Sequence, residues 1–232
     1  MSDPTGVVML SNVRLSFPNL VEPQRKVNET TGEVRTSYNC ALLMPPDDPG
    51  FAAFMKQYAA LAADKWKEHA NQIMQMVHTD RKTRCYANGS ETVNRQTLKP
   101  YAGYDGMMVI SASSKHQPQV MQPDGNKADP ANTMLVQQLL RKLYGGCRVN
   151  VALKPWLQEN KHGRGIRCDL IAVQFARDDQ PFGAGEIDAT SLFGQVAESG
   201  PVGPVTTPAA MPPMPFATAA NGIPGLPPFL TS

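Results

Sequence analysis

Three short stretches of the chain interleave cations with aromatic rings. Arg81, Lys82 and Arg84 lead to Tyr86; Arg95 and Lys99 precede Tyr101 and Tyr104; Lys154 and Trp156 share a third stretch with Lys161, Arg164 and Arg167. Guanidinium and ammonium groups neutralise phosphates, and ring faces stack on unpaired bases, at ~1–3 kcal/mol per base whatever its identity. The chemistry these residues could perform together is recognition of a single-stranded nucleic acid without sequence preference. Arg35 with Tyr38 forms a second tier of the same kind. Any one cluster could instead hold its ring in a core while its charges solvate a hairpin. Three clusters, all in expected turns or ribbons, make that coincidence harder to sustain.

Other chemistries find no support. His78 with Cys85, and His162 with Cys168, lack the ligand spacing of a zinc motif, so no metal site is expected. Signatures of a serine hydrolase, a phosphate-binding loop or a zinc protease are missing, and no catalytic residue or cofactor is assigned. Asp47-Asp48 reads as helix capping and Asp178-Asp179 as a turn. Asp124-Gly-Asn126 lacks the rest of a calcium loop.

The elements that must position the clusters are mainly strands. Val13, Leu15 and Phe17 alternate with polar residues after an apolar lead-in from Val7, and Pro18 is expected to close that strand. A polar arm from Glu22 to Arg35 leads to a second strand, Tyr38 to Met44, stopped by Pro45-Pro46. Asp48-Pro49 caps the surest helix, whose stripe from Phe51 through Trp66 is expected to continue to about Val77, with Trp66 in the core. Asn88-Gly89 predicts a tight turn that folds residues 85–93 into a basic ribbon. Met107 to Ser113 reads as a buried strand, and Met134 to Leu143 as a short helix before Gly145-Gly146. Arg148 to Leu153 and Ile166 to Phe175 form a final strand pair, with Gly163-Arg164-Gly165 in the connection. About six strands without a helix after each one predict a β-barrel rather than a parallel α/β sheet.

Charge is distributed unevenly. All 22 Lys and Arg residues lie at or before Arg177, so residues 1–178 carry +6 and the remainder −4 within an overall +2. A basic body suggests a polyanionic partner. Beyond about Gly183 the periodicity fails, and a Pro-, Gly- and Ala-rich composition predicts a disordered tail over residues 186–232. No stretch approaches a membrane span and the first residues lack a leader pattern, which predicts a soluble protein in the cytoplasm. Four scattered cysteines then read as reduced structural thiols.

The order of motifs also carries a resemblance. Leu10-Ser-Asn-Val-Arg-Leu-Ser-Phe-Pro-Asn-Leu20, Tyr104-Asp-Gly-Met-Met-Val-Ile-Ser-Ala112, Tyr144-Gly-Gly-Cys-Arg-Val-Asn-Val151 and Gly165-Ile-Arg-Cys-Asp-Leu-Ile-Ala-Val-Gln174 resemble a bacteriophage family of OB-fold single-stranded DNA-binding proteins. The likeness spans about Val7 to Gly185. It implies a non-enzymatic accessory of phage replication and recombination that coats single strands in the cytoplasm of a bacterial host. It supplies no list of contacts. One departure from many replication proteins of this kind stands out: no Asp or Glu follows Glu198, although Phe229 leaves an apolar tip for docking a replication partner.

The expectation is therefore an OB-like barrel over residues 1–185 with one long and one short helix, followed by the tail. Weak binding of duplex DNA or RNA and homo-oligomerisation are compatible with it. Two other readings remain open here: a structural or scaffolding phage protein that assembles through the barrel, and an RNA-binding or strand-annealing protein.

Overall fold

The computed structural model describes residues 6–27, 32–160 and 163–183. Lys161, Phe229 and the tail lie outside the described residues.

The first strand, β1 (Val8–Val27), pairs antiparallel with β2 (Val34–Met44). Pro18 does not end β1 as its ring chemistry suggests. The register instead slips between Ser16 and Asn19, and this bulge accommodates a proline that has no N–H to give the ladder. Asp48 then caps α1 (Pro49–Trp66), accepting hydrogen bonds from the backbone N–H groups of Gly50 at 2.8 Å and Phe51 at 3.2 Å.

The expected single helix is broken. A short 3₁₀ turn, Lys67–His69, separates α1 from α2 (Ala70–Thr79), and Lys67 adopts φ 48°. The buried stripe of α1 runs Phe54, Tyr58, Ala62, Trp66, always four residues apart, and each such step overshoots a helical turn by about 40°. The break resets that drift and aims Ala70, Ile73 and Val77 back at the core. Trp66 is buried there as expected.

The basic ribbon is also not what forms. β3 (Tyr86–Asn88) pairs with β4 (Met108–Ser114) rather than folding back on residues 91–93. The Asn88 side chain accepts from Ser90 N–H at 3.0 Å and starts a 3₁₀ turn, Gly89–Glu91. A Cβ at Gly89 would collide with the Tyr104 carbonyl, so glycine is needed for this close approach rather than for a hairpin turn.

After β5 (Gln119–Met121), the short helix α3 (Thr133–Arg141) is capped by Asn132, whose side chain accepts from Leu135 N–H at 3.1 Å. The final pair, β6 (Arg148–Asn160) and β7 (Gly163–Arg177), is longer than its apolar alternation, because Gly163, Arg164 and Gly165 continue the ladder.

Five of the seven strands among the described residues close on themselves. β1 pairs with β2, β2 with β4, and β6 with both β7 and β1, all antiparallel; a parallel bridge from β4 Ser113 to β7 Asp169 completes the ring. Five strands in the order β1-β2-β4-β7-β6 form the OB barrel, a closed solution that removes free sheet edges from the circuit. Its interior takes Leu10, Val13, Leu15, Cys40, Leu42, Ile110, Val151, Leu153 and Leu170, with Phe54, Tyr58 and Trp66 packed onto the same core. Cys40, Cys85, Cys147 and Cys168 are all free and buried. Burial pushes the Cys40 and Cys85 thiols up to about 12 and Cys147 to about 11, so they stay protonated and unreactive near neutral pH.

Candidate nucleic-acid interface

Because side chains alternate along a strand, the partners of the core residues face outward: Ala41 and Leu43 on β2, Val109 and Ser111 on β4. Leu43 and Val109 are covered by the segment between β3 and β4, where Tyr104 packs on them and Tyr101, Met107 and Phe182 join from the edge. The rest of this face is lined by small side chains and stays open.

Phe17 marks its border. Its alternation with Val13 and Leu15 predicts an inward ring, but the β1 bulge holds it at φ 46° and leaves it 51% exposed. The displaced ring meets Tyr101 edge-on at 4.9 Å, and Tyr101 lies 5.6 Å from Tyr104. Tyr104 in turn lies 6.1 Å from Phe182, over which Arg14 sits at 4.1 Å. Phe182 is held by its own N–H donating to the Gly145 carbonyl at 2.8 Å. Phe17 and Tyr104 line two clefts: one of about 150 Å³ with Arg81, Arg84, Ala41 and Ser111, the other of about 290 Å³ with Tyr101, Gly145 and Phe182. Together they make a row of rings with Arg81 and Arg84 at one end and Arg14 at the other. Sequence reasoning missed Phe17 and Phe182; the Phe17-Pro18 step inside an apolar strand was the available signal for a bulge.

Two of the expected stacking rings, Tyr86 and Tyr104, are buried. Tyr86 is 4% exposed and packs edge-on against Phe51 and Phe54, while its hydroxyl shares a 2.9 Å hydrogen bond with His78 Nδ1. Tyr104 is 1% exposed and serves as the floor beneath Phe17 and Tyr101. Burial raises the pKa of both phenols. Neither ring has a free face for a base, because β3 and the segment after it turn inward to cover the barrel. Tyr38 lies half-buried on the inward register of β2, with Cys40 and Leu42.

The cations sort by partner. Arg81 donates to the Glu91 carbonyl at 2.7 Å and to Thr92 Oγ1 at 3.1 Å, and Arg84 pairs with the Glu91 carboxylate at 2.9 Å. Arg167 donates to the Lys82 carbonyl at 3.2 Å, tying the β6–β7 hairpin to the Arg81–Thr83 turn. Gly165 permits the approach, since a Cβ there would meet the Thr83 carbonyl at 2.7 Å. Trp156 lies opposite Arg167, 40% exposed, and its indole N–H donates to Asp169 at 2.8 Å. Lys154 shares its outward register.

Other positions are not brought into this group. Arg164 pairs with Glu159 beside α2, Arg35 pairs with Glu33 on the β1–β2 arm, and Arg95 and Lys99 sit on an exposed loop tip. Among the described residues Lys82, Arg95, Lys99 and Lys154 are exposed and carry no ion pair. They are the cheapest charges to bring to a phosphate. Among the same residues no cluster of His, Cys, Asp or Glu could hold a metal ion, and no helix is long and apolar enough to cross a membrane.

Comparison with known proteins places the chain in a family. The family model described as Enterobacter phage Enc34, ssDNA-binding protein, matches residues 6–202. The chain belongs to the Enc34 single-stranded DNA-binding protein family. Among solved structures, the bacteriophage Enc34 single-stranded DNA-binding protein in complex with ssDNA is similar, with a TM-score of 0.57 and 28% identity over 78% of this chain and 91% of that one. A second structure of the single-stranded DNA-binding protein from bacteriophage Enc34 gives a TM-score of 0.53 at 28% identity, over 82% of this chain and 90% of that one. A further relative, putative protein p50 of Acyrthosiphon pisum secondary endosymbiont phage 1, is 27% identical over 80% of this chain and 91% of its own. The Enc34-family assignment agrees with the barrel topology, and the matched region covers every strand of the ring.

Proposed function

We propose that the chain coats single-stranded DNA without sequence preference during phage replication and recombination, through the barrel domain of residues 1–185, and that it acts by binding rather than by catalysis. The carrying observation is the row of rings on the outer β2–β4 face, with Phe17 exposed, Tyr101 half-buried against it, and Arg81 and Arg84 beside Phe17. Rings accept any base and arginines accept any phosphate, so nothing in the groove distinguishes one sequence from another. In this reading Arg81, Lys82, Arg84, Lys154 and Arg167 follow the strand's phosphates, and Trp156 stacks at the hairpin. Arg95 and Lys99 on their loop, and Arg164 on the β6–β7 hairpin together with Lys161, extend the path. Residues 186–232 form a separate tail whose Phe229 docks a replication partner. The work takes place in the cytoplasm of a bacterial host.

Tryptophan fluorescence tests the reading. The two tryptophans differ in exposure, Trp156 at 40% and Trp66 at 5%. Titrating the protein with a mixed-sequence oligonucleotide of about 16 nucleotides, the upper end of OB site sizes, is expected to quench the emission. Trp156→Phe is expected to remove most of that quench and leave binding in place. A quench that survives the substitution would take Trp156 off the DNA path.

A further inference from the structure

Arg84 is enclosed beyond what a surface cation requires. Its side chain is 9% exposed, and its Nε is shut off from solvent without a partner. A buried charged donor left unpaired is costly, and in native structures it calls for an explanation. The same edge of the guanidinium presents its terminal nitrogen to Glu91 Oε2 at 2.9 Å. One oxygen therefore meets an edge built for two. Arg81 reaches the carbonyl of the same glutamate at 2.7 Å, and both arginines line the 150 Å³ cleft with Thr92 and Ser111. Glu91 itself is 50% exposed and can swing into water without leaving a buried carboxylate behind.

We infer that Arg81 and Arg84 form a phosphodiester subsite at the end of the Phe17–Tyr101 row, occupied in the free protein by the chain's own Glu91 carboxylate and taken over by a backbone phosphate on binding. The inference rests on the single-stranded DNA reading. Arg84 holds an anion before and after the exchange, so its buried charge is never uncovered. Two non-bridging phosphate oxygens can span Nε and the terminal nitrogen together, which the glutamate does not do here. Glu91 thus keeps the subsite assembled and sets a threshold that weak anions do not cross.

Equilibrium titration of the full chain with an unstructured oligonucleotide separates the outcomes. Glu91→Gln is expected to tighten binding about threefold to fivefold, the scale of a partly exposed ion pair. Asp124→Asn, in the turn beyond β5 where the carboxylate bonds to Asn126 of its own turn and to neither arginine, removes the same charge and is expected to change affinity less than about twofold. In an Arg84→Lys background, which keeps the charge but loses the two-toothed edge, the gain from Glu91→Gln is expected to fall to the control's level. Unchanged or weakened binding in Glu91→Gln, or an equal gain in the Asp124→Asn control, would overturn the subsite. Failure of the unaltered protein to bind at all would instead overturn the reading on which it rests.

Discussion

Replacing Phe17 and Tyr101 together by alanine is expected to weaken binding of single-stranded DNA by at least about 30-fold, with each single substitution costing about fivefold or more. The figure follows from ~1–3 kcal/mol per stacked base, taken at its low end for two rings. Phe17 is the exposed ring of the row, turned outward by its backbone; half-buried Tyr101 is braced against it at 4.9 Å, whereas Phe182 carries Arg14 over its face. Titration at one salt concentration, with thermal denaturation of each variant to establish folding, measures the effect. Because Phe17 is half exposed, its removal leaves the barrel interior intact. Tyr104→Ala is a contrasting case, since it deletes a fully buried ring and is expected to cost stability before it reports on DNA. Unchanged affinity in the double variant would remove the row of rings from the interface.

Salt should move the affinity further still. If Arg81, Lys82, Arg84, Lys154 and Arg167 each take a phosphate, five contacts on a single strand give a slope of about −3.5 in log K against log salt. Between about 50 and 200 mM salt the affinity is expected to fall about 100-fold. Lys154→Ala should then reduce the slope by about 0.7, while a similar change at Arg35, already paired with Glu33 on the β1–β2 arm, should alter it less. A flat salt dependence would leave the cations without a role in binding.

The parts of the molecule legible in the sequence are those decided locally. Asp48-Pro49 announced the start of α1, the apolar alternation located β2, β4, β6 and β7, and the scarcity of helices between strands pointed to a barrel. What stayed hidden was decided by partners far along the chain. Phe17 has the spacing of an inward residue, and only the register slip against β2 turns it out. Tyr86 follows three basic residues closely enough to look like a surface ring, yet its pairing with Ile110 of β4 carries it into the core. Lys67 breaks a stripe that looks continuous because a four-residue repeat drifts around a helix, which a list of apolar positions does not show. Arg167 and Lys82 are 85 residues apart and meet only because the β6–β7 hairpin lies against the Arg81–Thr83 turn. The chemistry of the site was therefore readable as composition, whereas the choice of rings depended on tertiary register.

The central claim is that the outer β2–β4 face reads unpaired bases, and the most direct measurement is a fluorescence-anisotropy titration of the full chain with the same mixed-sequence oligonucleotide as single strand and as duplex, at one salt concentration. Phosphates are present in both, but bases with free faces are present only in the single strand. The single strand is expected to bind tighter by at least about fivefold, the least that one stacked base contributes. Equal affinity for both forms, or a preference for the duplex, would mean that the basic surface alone does the binding and would contradict the role assigned to Phe17 and Tyr101.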